Sequence, residues 1–181
     1  YNGYKTGRYM TLTEQDMTFL ARQFPDIIDQ VTTSVSKSGF AVTYKKKHFS
    51  DMYLNGTFPA QADMNHIQVL SGRFINNLDI AQKRKVMVIT HLLAKNLLEG
   101  STDYQTLIGK KIKVGNLVFT IIGVRHAYEN RNDRELYIPY TTARSIFGMT
   151  NDLDLIAFTF NGLETEAENE AFELRLKKIL N

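Results

Sequence analysis

The sequence predicts an α+β fold with mixed β-sheets, and three observations carry that expectation. One amphipathic helical stretch near the start is followed by strand-like segments joined at polar turns. In the middle, the apolar, β-branched run Val86–Ile89 feeds straight into a helix that Thr90 can cap. Beyond it, two β-rich runs flank the pair Gly115-Asn116, the spacing of a tight hairpin. At 181 residues and 43% hydrophobic, the chain is long enough to bury a real core, and its net charge of +3 is too small for a disordered one.

The elements follow in order. Residues 1–8 are polar and contain Gly, and they read as a tether. Thr11–Glu14 and Thr13–Asp16 offer a helix start, with a hydroxyl to cap free amides and carboxylates in the first turn. Met17, Leu20, Ala21 and Phe24 recur at helical spacing, and Pro25 stops the helix because it has no amide hydrogen. Val31–Ser36, Gly39–Lys45 and Phe49–Thr57 then read as a small antiparallel meander, with Lys45-Lys46-Lys47-His48 as a solvated hairpin tip.

Ile67–Leu70 is a short strand that ends at Ser71-Gly72. Val86–Ile89 reads as a strand buried on both faces. Leu93, Ala94, Leu97 and Leu98 give the next helix its apolar stripe, and Gly100 closes it. Lys111–Val114 and Leu117–Val124 form the hairpin. Leu136–Ile138 is a strand that Pro139 stops, and Thr141/Thr142 begin a short helix ending at Gly148. Leu155–Phe160 is a further strand. The last helix starts on a Thr165/Glu168 capping box and carries acidic residues early and basic ones late.

Enzymatic constellations are scarce. The histidines at 48, 66, 91 and 126 lack metal-site spacing, and the absence of Cys excludes disulfides, thiol catalysis and thiolate metal sites. No phosphate loop, nucleophile elbow or dinucleotide fingerprint is present, so no cofactor is expected. Residues 1–90 hold 11 basic and 7 acidic side chains and residues 91–181 hold 11 and 12, without the clustered excess of a nucleic-acid binder. No apolar run approaches the ~18 residues of a membrane helix. The chain starts at Tyr1 without an initiator Met, and it is expected to be a piece of something longer. One segment is polar beyond what a turn requires: residues 125–135 form a long connection in which Arg125, His126, Tyr128, Arg131 and Arg134 are candidate partner contacts.

An ordered string of motifs carries a resemblance. It runs Val69-Leu70-Ser71-Gly72-Arg73-Phe74, Asp79, Val86–Ile89, Ile108-Gly109-Lys110, Val118–Val124, Leu136-Tyr137-Ile138-Pro139 and Ala143 to Gly148. In this order and spacing it resembles the periplasmic core domain of MacB/FtsX-type ABC transporter permeases. Read on their own, the motif residues have structural roles. Gly72 supplies a turn, Arg73 with Asp79 clamps the loop around Phe74, and Gly109 breaks the chain before the hairpin. Gly123 marks a bulge or a close backbone approach, and Pro139 ends a strand.

The resemblance implies two interleaved α/β subdomains: a Porter-like one from residues 1–64 and 150–181, and a Sabre-like insertion at 65–149. It further implies a non-catalytic domain on the periplasmic side of a bacterial cytoplasmic membrane, between two membrane helices of a permease. Such a domain relays ATP-driven movement to partners in efflux or in lipoprotein or peptide handling. The partners so implied are a cytoplasmic ATPase domain or subunit, a periplasmic adaptor with an outer-membrane channel, and a second permease copy, homodimeric or heterodimeric; nucleic acid is not among them. The isolated fragment is expected to be a monomer. The alternative is an extracytoplasmic module that holds a ligand or peptide in a cleft between subdomains; an enzyme with a site assembled only in the fold is a third reading.

Overall fold

The computed structural model describes residues 12–128, 133–148, 152–153, 156–160 and 165–180. In chain order the elements are β1 (Leu12–Thr13), α1 (Glu14–Gln23), β2 (Ile28–Tyr44), β3 (Lys47–Thr57), α2 (Gln61–Met64), β4 (Val69–Gly72) and α3 (Asn77–Ala81). Then come β5 (Val86–Thr90), α4 (His91–Leu97), a 3₁₀ turn (Tyr104–Leu107), β6 (Lys111–Val114), β7 (Leu117–Arg125) and β8 (Glu135–Pro139). The chain closes with α5 (Tyr140–Phe147), β9 (Asp152–Leu153), β10 (Ile156–Phe160) and α6 (Glu166–Leu180). Helices and strands alternate irregularly and the strands pair in both senses, so the fold is α+β with a mixed sheet.

Two compact units emerge, residues 1–31 with 151–181, and residues 32–150. In the first, Leu12↔Leu153 and Thr13↔Asp152 join β1 to β9, and β10 lies beside β2, whose first residues belong to this unit. Leu20 and Phe24 of α1 pack with Ile28 and with Phe172 of α6. The Phe24 and Phe172 rings meet edge to face at 5.1 Å, a geometry favoured by their quadrupoles. Pro25 ends α1 as expected, and the amides of Ile27 and Ile28 turn back onto the Phe24 carbonyl. The capping box of α6 is formed on both sides: Glu168 N–H donates to Thr165 Oγ1 at 3.3 Å and Thr165 N–H to Glu168 Oε2 at 2.9 Å. The tether expected at 1–8 lies outside the described residues.

In the second unit the strand order is β2-β3-β8-β5-β7-β4, and β6 pairs with both β7 and β2, so six strands close on themselves. Every residue of β5 is buried, as a continuous apolar run requires when both faces are covered. β5 and β7 are parallel, which demands a crossover, and α4 is part of it. Thr90 caps α4 by accepting the Leu93 N–H at 3.2 Å. The hairpin β6–β7 turns at Gly115-Asn116, pairing Val114 with Leu117.

Two features of the structure differ from expectation. Val31–Ser36 and Gly39–Lys45 are not separate strands but one 17-residue strand, β2. The polar link Lys37-Ser38 that the sequence leaves between them is part of the strand, with a bulge beside it: Lys37↔Leu54 and Phe40↔Met52 leave one extra residue on β2 at Gly39, whose φ is 84°. A second slip, between Phe40↔Met52 and Val42↔Phe49, puts the extra residue on β3 and restores the pairing. Secondly, α3 has no hydrophobic period to announce it; an Asn76/Asp79 capping box makes it. The boundary between the two compact units falls at 31/32. The reason is pairing: β3 runs parallel to β8 from Tyr53↔Glu135 to Thr57↔Pro139, which ties residues 32–57 to the middle of the chain.

Candidate functional site: a buried arginine and the connection it anchors

The motif string assembles around β4, α3 and β7. Arg73, just past β4, holds Asp79 with both terminal nitrogens, at 2.6 and 3.1 Å, and also donates to the Phe74 carbonyl at 2.9 Å. Arg84 approaches the same carboxylate at 3.5 Å. Asp79 accepts the Asn76 N–H at 3.1 Å and is fully buried, so one carboxylate caps a helix and clamps a loop. Burial opposes its charge, but Arg73, the Asn76 amide and Arg84 outweigh that and hold it below the usual carboxylate range. The clamp is the one the sequence suggests: Phe74 packs against the cluster of Ile75, Val88 and Tyr137. Asp79→Ala removes the bond to the Asn76 amide and the pairs with Arg73 and Arg84, and is expected to cost about 1–3 kcal/mol, the worth of hydrogen bonds to a buried charge, read from urea unfolding.

The glycines and proline of the motif are equally structural. Gly72 ends β4 with φ 73°, Gly109 stands before β6 with φ 82°, and Pro139 ends β8 and precedes α5. Gly123 faces Gly72 across the β4–β7 ladder and lies against the Arg73 carbonyl, the close backbone approach that its residue type announces.

Beyond β7 the geometry departs from expectation. Arg125, placed by the sequence on a partner surface, is fully buried. Its guanidinium makes a two-pronged pair with Asp133, both contacts at 2.8 Å, and donates to the carbonyls of His126 at 3.0 Å and Glu135 at 3.3 Å. The rings of Tyr137 and Tyr128 lie 4.7 and 5.1 Å from its central carbon. Asp133 also accepts the amides of Tyr128 at 3.0 Å and Glu135 at 3.1 Å. Burial opposes ionisation of Asp133, yet Arg125 and these two amides hold it below the usual carboxylate range. Burial in turn pushes the Tyr137 phenol up, and its hydroxyl donates to Glu135 at 3.1 Å.

Arg125 is therefore the post to which the connection is tied. An arginine following a strand, at the head of a run of ten residues of which only Ala127 is apolar, reads as surface because sequence cannot show that Asp133 folds back over it. His126, Tyr128 and the partly exposed Arg134 remain at the surface, and Arg134 stands 3.8 Å from Asp51. Arg131 lies outside the described residues. Beside the connection, a cleft of about 350 Å³ is lined by His48, Phe49 and Ser50 of β3, by Leu92 and Asn96 of α4, and by Asp133 and Arg134.

Sequence reasoning missed His91. It reaches the connection from α4, where its Nδ1 accepts the Ala127 N–H at 2.9 Å, and its ring lies 4.7 Å from that of His126. No local spacing signals such a pair, since 35 positions separate the two residues. Among the described residues no three His, Asp or Glu side chains are placed to hold a metal ion, and no helix is long and apolar enough to cross a membrane.

Known proteins share this arrangement of elements. The periplasmic region of MacB from Actinobacillus actinomycetemcomitans superposes with a TM-score of 0.77 at 21% identity, over 99% of this chain and 80% of that one. The extracellular domain of the ABC-type transporter YknZ from Gram-positive bacteria gives 0.74 at 24% identity, over 96% and 84%. At these identities the likeness is one of fold. In sequence, the chain is 33% identical over 95 residues to the macrolide export ATP-binding/permease protein MacB of Rhodospirillum rubrum, a match that covers half of this chain and 14% of that protein. The family model for the MacB-like periplasmic core domain matches residues 2–178. Matched over nearly its whole length, this chain belongs to the MacB-like periplasmic core domain family.

Proposed function

We propose that this chain is the non-catalytic, extracytoplasmic domain of an ABC transporter permease, and that it passes ATP-driven movement to a partner outside the membrane. The family match over residues 2–178 is the observation that carries the reading. In this proposal the energy comes from a cytoplasmic ATPase domain or subunit of the same transporter, a second permease copy completes the machine, and a periplasmic adaptor with an outer-membrane channel is the outside partner. The chain ends supply the Porter-like part and the middle the Sabre-like part. The surface residues His126, Tyr128 and Arg134 form the partner contact, held in place by the buried Arg125–Asp133 pair.

The chain's lack of Cys allows a clean test. Ser145→Cys, at an exposed position of α5, is placed in the full-length parent stripped of any other thiol. In intact spheroplasts a membrane-impermeant maleimide is expected to label it, and its labelling rate is expected to differ between nucleotide-free and vanadate-trapped transporter. Labelling only after lysis would place the domain on the other side, and a rate indifferent to trapping would remove the relay.

A further inference from the structure

His91 and His126 grip one residue, Ala127, from two sides. His91 is the first residue of α4 and His126 the first residue past β7, and the two rings lie 4.7 Å apart at 31°. Between them stands Ala127, buried at 4% exposure. Its N–H lies 2.9 Å from His91 Nδ1, and its carbonyl lies 2.7 Å from His126 Nδ1. Chemistry sets the proton positions. A backbone N–H can only donate, so His91 Nδ1 must be bare; a carbonyl can only accept, so His126 Nδ1 must carry hydrogen. The rings therefore hold complementary tautomers. The His126 bond survives protonation of its own ring, whereas the His91 bond does not: imidazolium has a hydrogen on both nitrogens and leaves the buried Ala127 N–H facing another donor.

We propose that His91 is a proton-operated latch on Ala127: neutral, it holds the Ala127 N–H; protonated, it lets that amide go.

The surroundings set the direction of the switch. Burial disfavours the imidazolium, and so do the His126 ring beside it, Arg125 at the end of β7 and Lys95 one turn along α4. Among the described residues Asp133 is the opposing charge, and Arg125 already holds both of its oxygens. The balance puts His91 below the ordinary histidine value of about 6.5. The latch is thus closed above that pH and opens as pH falls through the lowered value, because the unfolded or released chain takes the proton first. Asp133, held below the usual carboxylate range, keeps its charge over the pH at which His91 changes, so the arginine post stands while the latch opens. The latch is a property of the chain's own residues; that it regulates partner contact rests on the proposed function.

The test uses isotope-labelled protein of the full 181-residue chain without any partner, so its outcome is separate from that of the labelling experiment above. Histidine ring resonances and the exchange of the Ala127 amide, normalised for intrinsic exchange, are followed from about pH 7.5 to about pH 4.5, which spans ordinary histidine titration. His91 is expected to titrate below the free value, with Ala127 protection falling by up to about tenfold per pH unit between the free value and that midpoint, the slope of one proton, and levelling off beneath it. Protection of the Leu93 amide, which donates to Thr90, should hold over the same range. In His91→Asn, whose side-chain oxygen accepts the same N–H and cannot titrate, Ala127 should stay protected across the range. Ala127 protection that ignores the His91 titration overturns the proposal, as does a loss that persists unchanged in His91→Asn. If that variant does not fold, the titration of the unaltered chain decides alone.

Discussion

Asp133→Ala is expected to cost the fold about 3–5 kcal/mol, the penalty of leaving a buried charge without its partner. Arg125 is wholly buried and Asp133 nearly so, with side-chain exposures of 0% and 2%, and screening by solvent does little to soften the loss. For a chain of this size the midpoint of thermal unfolding should fall by about 10 °C or more. Circular dichroism is the readout, since the chain has no Trp. Adding Arg125→Met to Asp133→Ala should recover part of the loss, because it removes the stranded charge at the expense of two hydrogen bonds to carbonyls. If the double variant is as unstable as the sum of the singles, the stranded charge is not the cause. Acid gives the same interaction from another direction. The Asp133 carboxylate is held low, so its contribution is complete above the unfolded value of about 3.9 and is lost as pH falls through the folded one. An acid-unfolding curve of Asp133→Ala should be flatter than that of the unaltered chain in this range.

Gly123→Ala comes second, at about 3 kcal/mol, the upper part of the usual range for forcing atoms into a packed position. A Cβ at this position would lie 2.2 Å from the Arg73 carbonyl oxygen and 3.1 Å from its carbon. Both are backbone atoms of the chain just past β4, and they cannot swing aside as a side chain does. Relief requires β4 to move off β7, which also strains the bond from Arg73 N–H to the Ile122 carbonyl, now 2.9 Å. Exchange of the Arg73 amide should accelerate well beyond the change in global stability. Gly109→Ala is the control. It meets no atom within 4 Å, so only its left-handed φ is strained, at about 1–2 kcal/mol. Equal losses at the two sites would show that conformation, not close approach, is what Gly123 provides.

The two groups of residues differ in how visible they are from sequence. Thr90, Thr165 with Glu168, Gly115-Asn116 and Pro25 act on neighbours within four positions, so residue type and spacing suffice to place caps, turns and stops. The Arg73–Asp79 clamp spans six residues, and the motif around it made it legible too. Arg125 was misread because its environment is assembled from β7, from Asp133 beyond a connection, and from Tyr137 on β8. His91 was passed over for the same reason. The bulge at Gly39 divides one strand into two in sequence because bulges and strand ends use the same residue types, and only the partner strand shows that pairing resumes on the far side.

By itself, then, the sequence determined the stop of α1, the caps of α4 and α6, the tight hairpin, the buried strand β5, the α+β class and the family, all of which depend on local chemistry or on motif order along the chain. Tertiary structure alone decided that β2 is continuous, that six strands close on themselves and that β3 binds residues 32–57 to the middle of the chain. It also turned an expected surface arginine into a buried post and placed a histidine from α4 on the peptide unit beside it. The physical reason is burial: whether a charge is an outward contact or an internal anchor depends on which distant groups cover it, and no local pattern records that.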